Sequence, residues 1–116
     1  MKTDVLVMMV ACPSRKEAGM IADTLLSERL IACASMIDDM RSRYWWKGRL
    51  ESVVETLVIM KTHSSRAAVV MKRVAALHSY DVPEIIALPV AAGHGPYLAW
   101  VGDSVRTRRT KKIDLK

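Results

Sequence analysis

The stretch "HSYDVPE", residues 78 to 84, places an imidazole, a phenol, two carboxylates and a proline within seven residues. Three readings are open for it: a metal site, an acid/base site, or the end of a helix meeting the start of a strand. His78 with a thiol or carboxylate nearby suits copper or zinc. A histidine in the last turn of a helix also serves as a cap or core residue whose ring donates to a carbonyl. A lone histidine beside one carboxylate lacks the second group that acid/base catalysis uses.

Other chemistry-bearing residues lie upstream and downstream. Tyr44, Trp45 and Trp46 form an aromatic run, with Tyr80, Tyr97 and Trp100 following later. Such rings pack cores, and they are also enriched at subunit boundaries and ligand pockets. Trp45 and Trp46 are adjacent on an expected strand and point to opposite faces, so at least one leaves the subunit's own core. Glu51, Glu55 and Lys61 share strand parity with Val53, Leu57 and Ile59. Charges on a hydrophobic face imply either a strand end reaching water or a polar cleft in which Lys61 neutralises a carboxylate or an anionic ligand. No Gly-rich phosphate loop, Ser nucleophile elbow or HExxH helix occurs. The chain has no phenylalanine and no RNP-like stretch, which argues against an RNA-recognition module.

The elements that must position these residues are legible from pattern. "DVLVMMVA" reads as a buried strand over 4–11, and "SRKE" at 14–17 reads as a capping box. Ala18, Ile21, Ala22 and Leu25 then fall on one helical face, in a helix ending near Arg29. A second strand is expected from Leu30 to Ile37, with a turn or bulge at Asp38 and Asp39 and extended structure resuming through "RSRYWW". Lys47 and Gly48 mark a hairpin tip, and "LESVVETLVIMK" is a long third strand. Thr62 to Ser65 offer N-caps for a second helix whose Ala67, Val70, Met71, Val74 and His78 share a face. Pro83 ends any helix before it, "EIIALPV" is a fourth strand, and "YLAWVGDSV" is a short third helix. The order β-α-β-β-α-β plus a terminal helix predicts an α+β, ferredoxin-like sandwich, one sheet face covered by two helices.

The 116 residues suit one domain, read as 1–105, with a basic tail over 106–116. The tail holds six basic residues against Asp114, so five of the six net positive charges lie there and the body is near neutral. The pI of about 9.6 therefore describes a solvated tail more than a nucleic-acid surface. Mean hydropathy is +0.12, high for a small domain, and no apolar run approaches the roughly 20 residues of a spanning helix. Self-association through the uncovered sheet face follows. Cys12 and Cys33 lie far apart with no zinc spacing between them, which points to reduced thiols in the cytoplasm.

Taken together, "SERLIACASMI" at 27–37, "SRYWWKGRLE" at 42–51, Glu55, "IMKT" at 59–62, "HSYDVPEI" at 78–85 and "YLAW" at 97–100 resemble the CutA family of divalent-cation-tolerance proteins. The resemblance implies a ferredoxin-like subunit in a homotrimer similar to that of PII signalling proteins, with edge strands pairing across subunits. It implies tolerance of copper and other divalent cations and no enzymatic activity. No cofactor is required by it; copper or another divalent cation is the ligand it suggests. His78 matches the second of a histidine pair implicated in copper binding; the partner position is Leu77 here, and the implicated cysteine position is Val10. The residues expected to line an inter-subunit cleft or interface are Tyr44, Trp46, Glu55, Lys61, Tyr80, Glu84, Tyr97 and Trp100. The alternative function is a PII-like sensor binding a small anionic ligand in those clefts through Lys61 and the aromatics.

Overall fold

The computed structural model describes residues 3–106. The strands are β1 (Val5–Cys12), β2 (Cys33–Trp46), β3 (Arg49–His63) and β4 (Ile85–Pro89), and the helices are α1 (Arg15–Ser27), α2 (Ala67–Leu77) and α3 (Gly95–Ser104). The strands form one antiparallel sheet in the order β2-β3-β1-β4. This is the ferredoxin-like arrangement with an added C-terminal helix. The basic residues of the expected tail beyond Arg106 lie outside the described residues.

Alternation along the strands sorts side chains onto two faces. Met8, Val10, Cys12, Val58 and Met60 face α1 and α2, and with Ala18, Ile21, Leu25, Val70 and Val74 they form the core. Met8 sits opposite Met60 and Val10 opposite Val58, so the two central strands supply its floor. The opposite face carries Val7, Met9, Leu57 and Ile59 at the centre, with Ile37, Ile86 and Leu88 exposed toward the edges. α3 rests against β1 and β3, burying Val101 and Val105, but it does not cover this face. A broad apolar surface is left, as the hydropathy predicts.

Three local devices set the sheet's geometry. The Ser14 hydroxyl accepts from the Glu17 amide at 3.1 Å and caps α1. The Glu17 carboxylate does not complete the capping box; it accepts from the Ser79 amide at 2.9 Å, joining α1 to the end of α2. At the other end of α1, Arg29 takes φ 61°, and the amides of Arg29 and Leu30 return to the carbonyls of Leu26 and Leu25. That is a Schellman motif with arginine where glycine is usual. It ends the helix two residues before the expected Arg29 and delays β2 to Cys33.

Between Ile37 and Met40 the β2–β3 register slips by one residue, with Asp39 at φ 59°. This bulge places Met40, Ser42, Tyr44 and Trp46 on the same face as Glu55 and Glu51. Lys47 and Gly48 then turn the chain with φ 52° and 78°, the primed two-residue turn that suits a right-handed twist. Beyond Cys12, β1 no longer pairs with β3, so the far half of the β2–β3 hairpin projects as an arm. Its projection is reflected in a radius of gyration of 15.4 Å, against about 13 Å for a compact chain of this size.

Candidate functional site

The arm, the open sheet face and the 79–84 segment enclose a groove of about 920 Å³. Tyr44, Trp46, Glu55, Tyr80 and Glu84 all line it, five of the eight residues expected from sequence at a cleft or interface. The period-2 pattern of β3 places Glu55 on the groove floor, where it is only 5% exposed. The Tyr80 hydroxyl donates to Glu55 Oε2 at 2.8 Å. Burial first, and then the adjoining Glu55 carboxylate, push the Tyr80 phenol well above its ordinary range. Tyr80 therefore acts as a fixed donor and not as a proton shuttle. Glu51, Asp81 and Arg43 also line the groove.

The other three expected residues stand elsewhere. Lys61 lies opposite Val7 and Cys33, six residues along β3 from Glu55. At about 3.3 Å per residue that separation is about 20 Å. Tyr97 and Trp100, on α3, stack with centroids 5.6 Å apart, and the Tyr97 hydroxyl lies 3.7 Å from Cys33 Sγ. Burial, followed by the Cys33 thiol, raises the Tyr97 phenol. Within one subunit, Lys61 and the α3 aromatics therefore lie apart from the groove. The groove itself has four carboxylates and one guanidinium, which is electrostatically unfavourable to an anion.

His78 caps the C-terminal end of α2 with its ring buried. Nε2 lies 2.8 Å from the Ala11 carbonyl, which can only accept, so Nε2 carries a hydrogen and donates. Nδ1 accepts from the Tyr80 amide at 3.1 Å. Both nitrogens are thereby engaged within the chain, leaving none to ligate a metal. Among the described residues, no three or more His, Cys, Asp or Glu side chains are grouped closely enough to hold a metal ion. In this arrangement the ring is a strut between β1, α2 and the groove. With Leu77 and Val10 at the neighbouring positions, the residues present do not fit the copper site that the resemblance suggests.

Cys12 is fully buried, and its thiol is pushed up from 9.0 to about 11 by burial, then by the carboxylates of Glu17 and Glu55. At neutral pH its thiolate population is about hundredfold lower than that of an exposed thiol. Native protein should leave Cys12 unmodified by a thiol reagent until denaturant is added. The unfolded thiol ionises near 9 while the folded one holds its proton to about 11, so stability should fall as pH rises through that window. Thiol counting with and without denaturant, and urea midpoints at pH 8 and 10.5, check both. Rapid modification of both cysteines in the native state would contradict the burial.

The family model described as "CutA1 divalent ion tolerance protein" matches residues 6–104. The chain is 39% identical over 98 residues to the divalent-cation tolerance protein CutA of Thermus thermophilus, covering 84% of this chain and 95% of that one. It is 38% identical over 101 residues to the chloroplastic protein CutA 1 of Oryza sativa and 43% over 96 to the CutA homolog of Xenopus laevis. Those alignments take in 87% and 83% of this chain, which spans 57% and 64% of the two relatives' lengths. Among solved structures, CutA from Xylella fastidiosa superposes with a TM-score of 0.87 at 33% identity, over 90% of this chain and all of that one.

Proposed function

The chain belongs to the CutA1 divalent ion tolerance family, whose members are not enzymes, and we propose that it works as a homotrimer in the cellular response to copper and other divalent cations. The observation that carries this reading is the open apolar face of the sheet. Ile37, Ile86 and Leu88 are 52%, 44% and 44% exposed there, and Trp45 and Trp46 on the arm are 73% and 39% exposed. Surfaces of this kind on a small domain are stabilised by burial against another protein surface. The outer edge of β2 and the arm's share of β3 offer unpaired backbone groups for strand pairing between subunits. Copper, or another divalent cation, is the proposed ligand class, taken up without His78. The proposed compartment is the cytoplasm, where two unpaired cysteines stay reduced.

A second reading, a small anion held between subunits, is supported by Lys61. Lys61 is half-buried, and its ammonium has no ion-pair or side-chain hydrogen-bond partner among the described residues.

Light scattering at micromolar concentration should give three times the 13.0 kDa chain mass. Ile86→Asp would bury an unpaired charge in the assembly, and should raise the concentration needed for association by about hundredfold. A wild-type mass of 13.0 kDa at all concentrations would sink the homotrimer.

A further inference from the structure

Covering the open face of the sheet with neighbouring copies takes two opposite charges out of water. Glu55 is already only 5% exposed, and it stands at the root of the arm, one residue beyond the last pairing of β1 with β3 at Thr56. Lys61 is half-buried six residues along the same strand. The register puts both on the face that carries Val7, Met9, Leu57 and Ile59, and outside the arm Lys61 is that face's one lysine or arginine among the described residues. Neither has an ion-pair partner among the described residues, and the hydrogen bond to Glu55 comes from a neutral phenol. Within one subunit the two stand about 20 Å apart and cannot meet. A charge buried alone is strongly destabilising, whereas an opposite charge in contact offsets much of the desolvation.

A closed ring of three copies is built from head-to-tail contacts, in which one patch of a chain meets a different patch of the next. The arm supplies the leading patch, since it projects past β1 and carries unpaired strand edges. Glu55 lies at its root, and Lys61 lies toward the other end of β3, away from the arm. From this placement we infer that Glu55 of each copy pairs with Lys61 of the next, so that every boundary of the ring is completed by a carboxylate from one chain and an ammonium from another. The inference rests on the homotrimer proposed above and names the side chains that join it. Charge complementarity favours this occupant: Glu51, Asp81 and Glu84 line the groove beside Glu55 and draw a cation toward it. The Tyr80 hydroxyl holds the carboxylate in place for the incoming ammonium. Glu55 then takes the position that the second reading gives to a small anion. The pair also fixes which end of one copy meets which end of the next, because two arm roots together would set carboxylate against carboxylate.

A double-mutant cycle on association, read by light scattering across protein concentration, tests the pair. Glu55→Gln and Lys61→Met each remove one charge, and each should raise the concentration needed for association by about tenfold or more, because the charge left behind is buried alone. The double variant removes both charges and should associate no more weakly than the weaker of the two single variants. Residues about 20 Å apart in one chain act additively, so this departure from additivity reports contact between copies. Should a single variant fold poorly by circular dichroism, chains carrying Glu55→Cys and Lys61→Cys, each in a Cys33→Ser background, are refolded together and treated with a short bismaleimide. The mixture should cross-link chain to chain well beyond either chain alone. Losses that add, or single variants that associate like the wild type, overturn the inference. So does a mixture that cross-links no more than its separate chains. A wild type that stays at 13.0 kDa overturns the homotrimer and this pair together, whereas a wild-type trimer with additive losses overturns the pair alone.

Discussion

Met60→Ala should lower the free energy of unfolding by about 2–5 kcal/mol, the range for deleting a buried methionine side chain. Met60 has no exposed surface and stands at the centre of β3, opposite Met8 on one side and Ala34 on the other. Ile21, Leu25 and Val74 of the covering helices belong to the same cluster. Truncation therefore leaves a void lined by both layers of the sandwich, which neither can collapse into without moving a helix off the sheet. Interiors packed at crystal-like density relax only partly around such a void. The check is urea denaturation at fixed protein concentration, because association would add its own concentration-dependent stability. The midpoint should fall while the slope stays constant. Met60→Leu, which nearly conserves volume, should cost less than about 1.5 kcal/mol. Equal losses for the two variants would mean that packing volume is not what Met60 contributes.

The same alternation that makes Met60 a core residue is written in the sequence, and it explains which parts of the site were legible. Strand parity places Glu55 with Leu57 and Ile59 and apart from Val58 and Met60, as the structure has it. Parity says nothing about distance along a strand. Glu55 and Lys61 share a face, yet six residues separate them, so within one subunit they stand in two places. The grouping of Tyr44 and Trp46 with Glu55 depends on the bulge at Asp38 and Asp39. Two adjacent aspartates signal an irregularity, but not which way the register will slip. Local capping was legible only in part. Ser14 caps α1 as its spacing implies, whereas the end of α1 is set by Arg29 in a left-handed conformation that a glycine would have announced. The cap before α2 comes from the His63 ring, which accepts from the Ser65 amide at 3.1 Å through a short 3-10 turn, and not from a hydroxyl.

Long-range polar contacts were the least legible, because sequence pattern carries no information on which loop returns to which strand. The Glu17 carboxylate bonds to Ser79, the Arg73 guanidinium to Glu28, and the Tyr80 hydroxyl to Glu55. Each ties together elements distant in sequence. The first and last converge on residues 78–84, so the segment met first as a possible reactive motif is held from both sides of the sheet. Its rigidity is what gives the groove a defined wall.

His78→Ala separates the strut from the ligand most directly. Removing the ring strips the Ala11 carbonyl and the Tyr80 amide of their partners at once. Leaving a buried polar group unpaired costs about 1–3 kcal/mol, and the lost ring volume adds to it. The loss should not stay local. The Tyr80 backbone is anchored by Nδ1 and its hydroxyl by Glu55, so freeing one end lets the phenol leave the groove floor. His78→Ala should therefore lower thermal stability and change the Trp46 fluorescence, since that ring lines the same groove. Copper affinity, titrated in wild type and variant under reducing conditions, should agree within about twofold, because neither nitrogen is available to the metal. Losing a true ligand would be expected to cost more than the roughly 10–100-fold typical of removing an outer-shell partner. A fall of that size with unchanged stability would make His78 a ligand after all, and would mean that its hydrogen bonds to Ala11 and Tyr80 yield to copper at little cost.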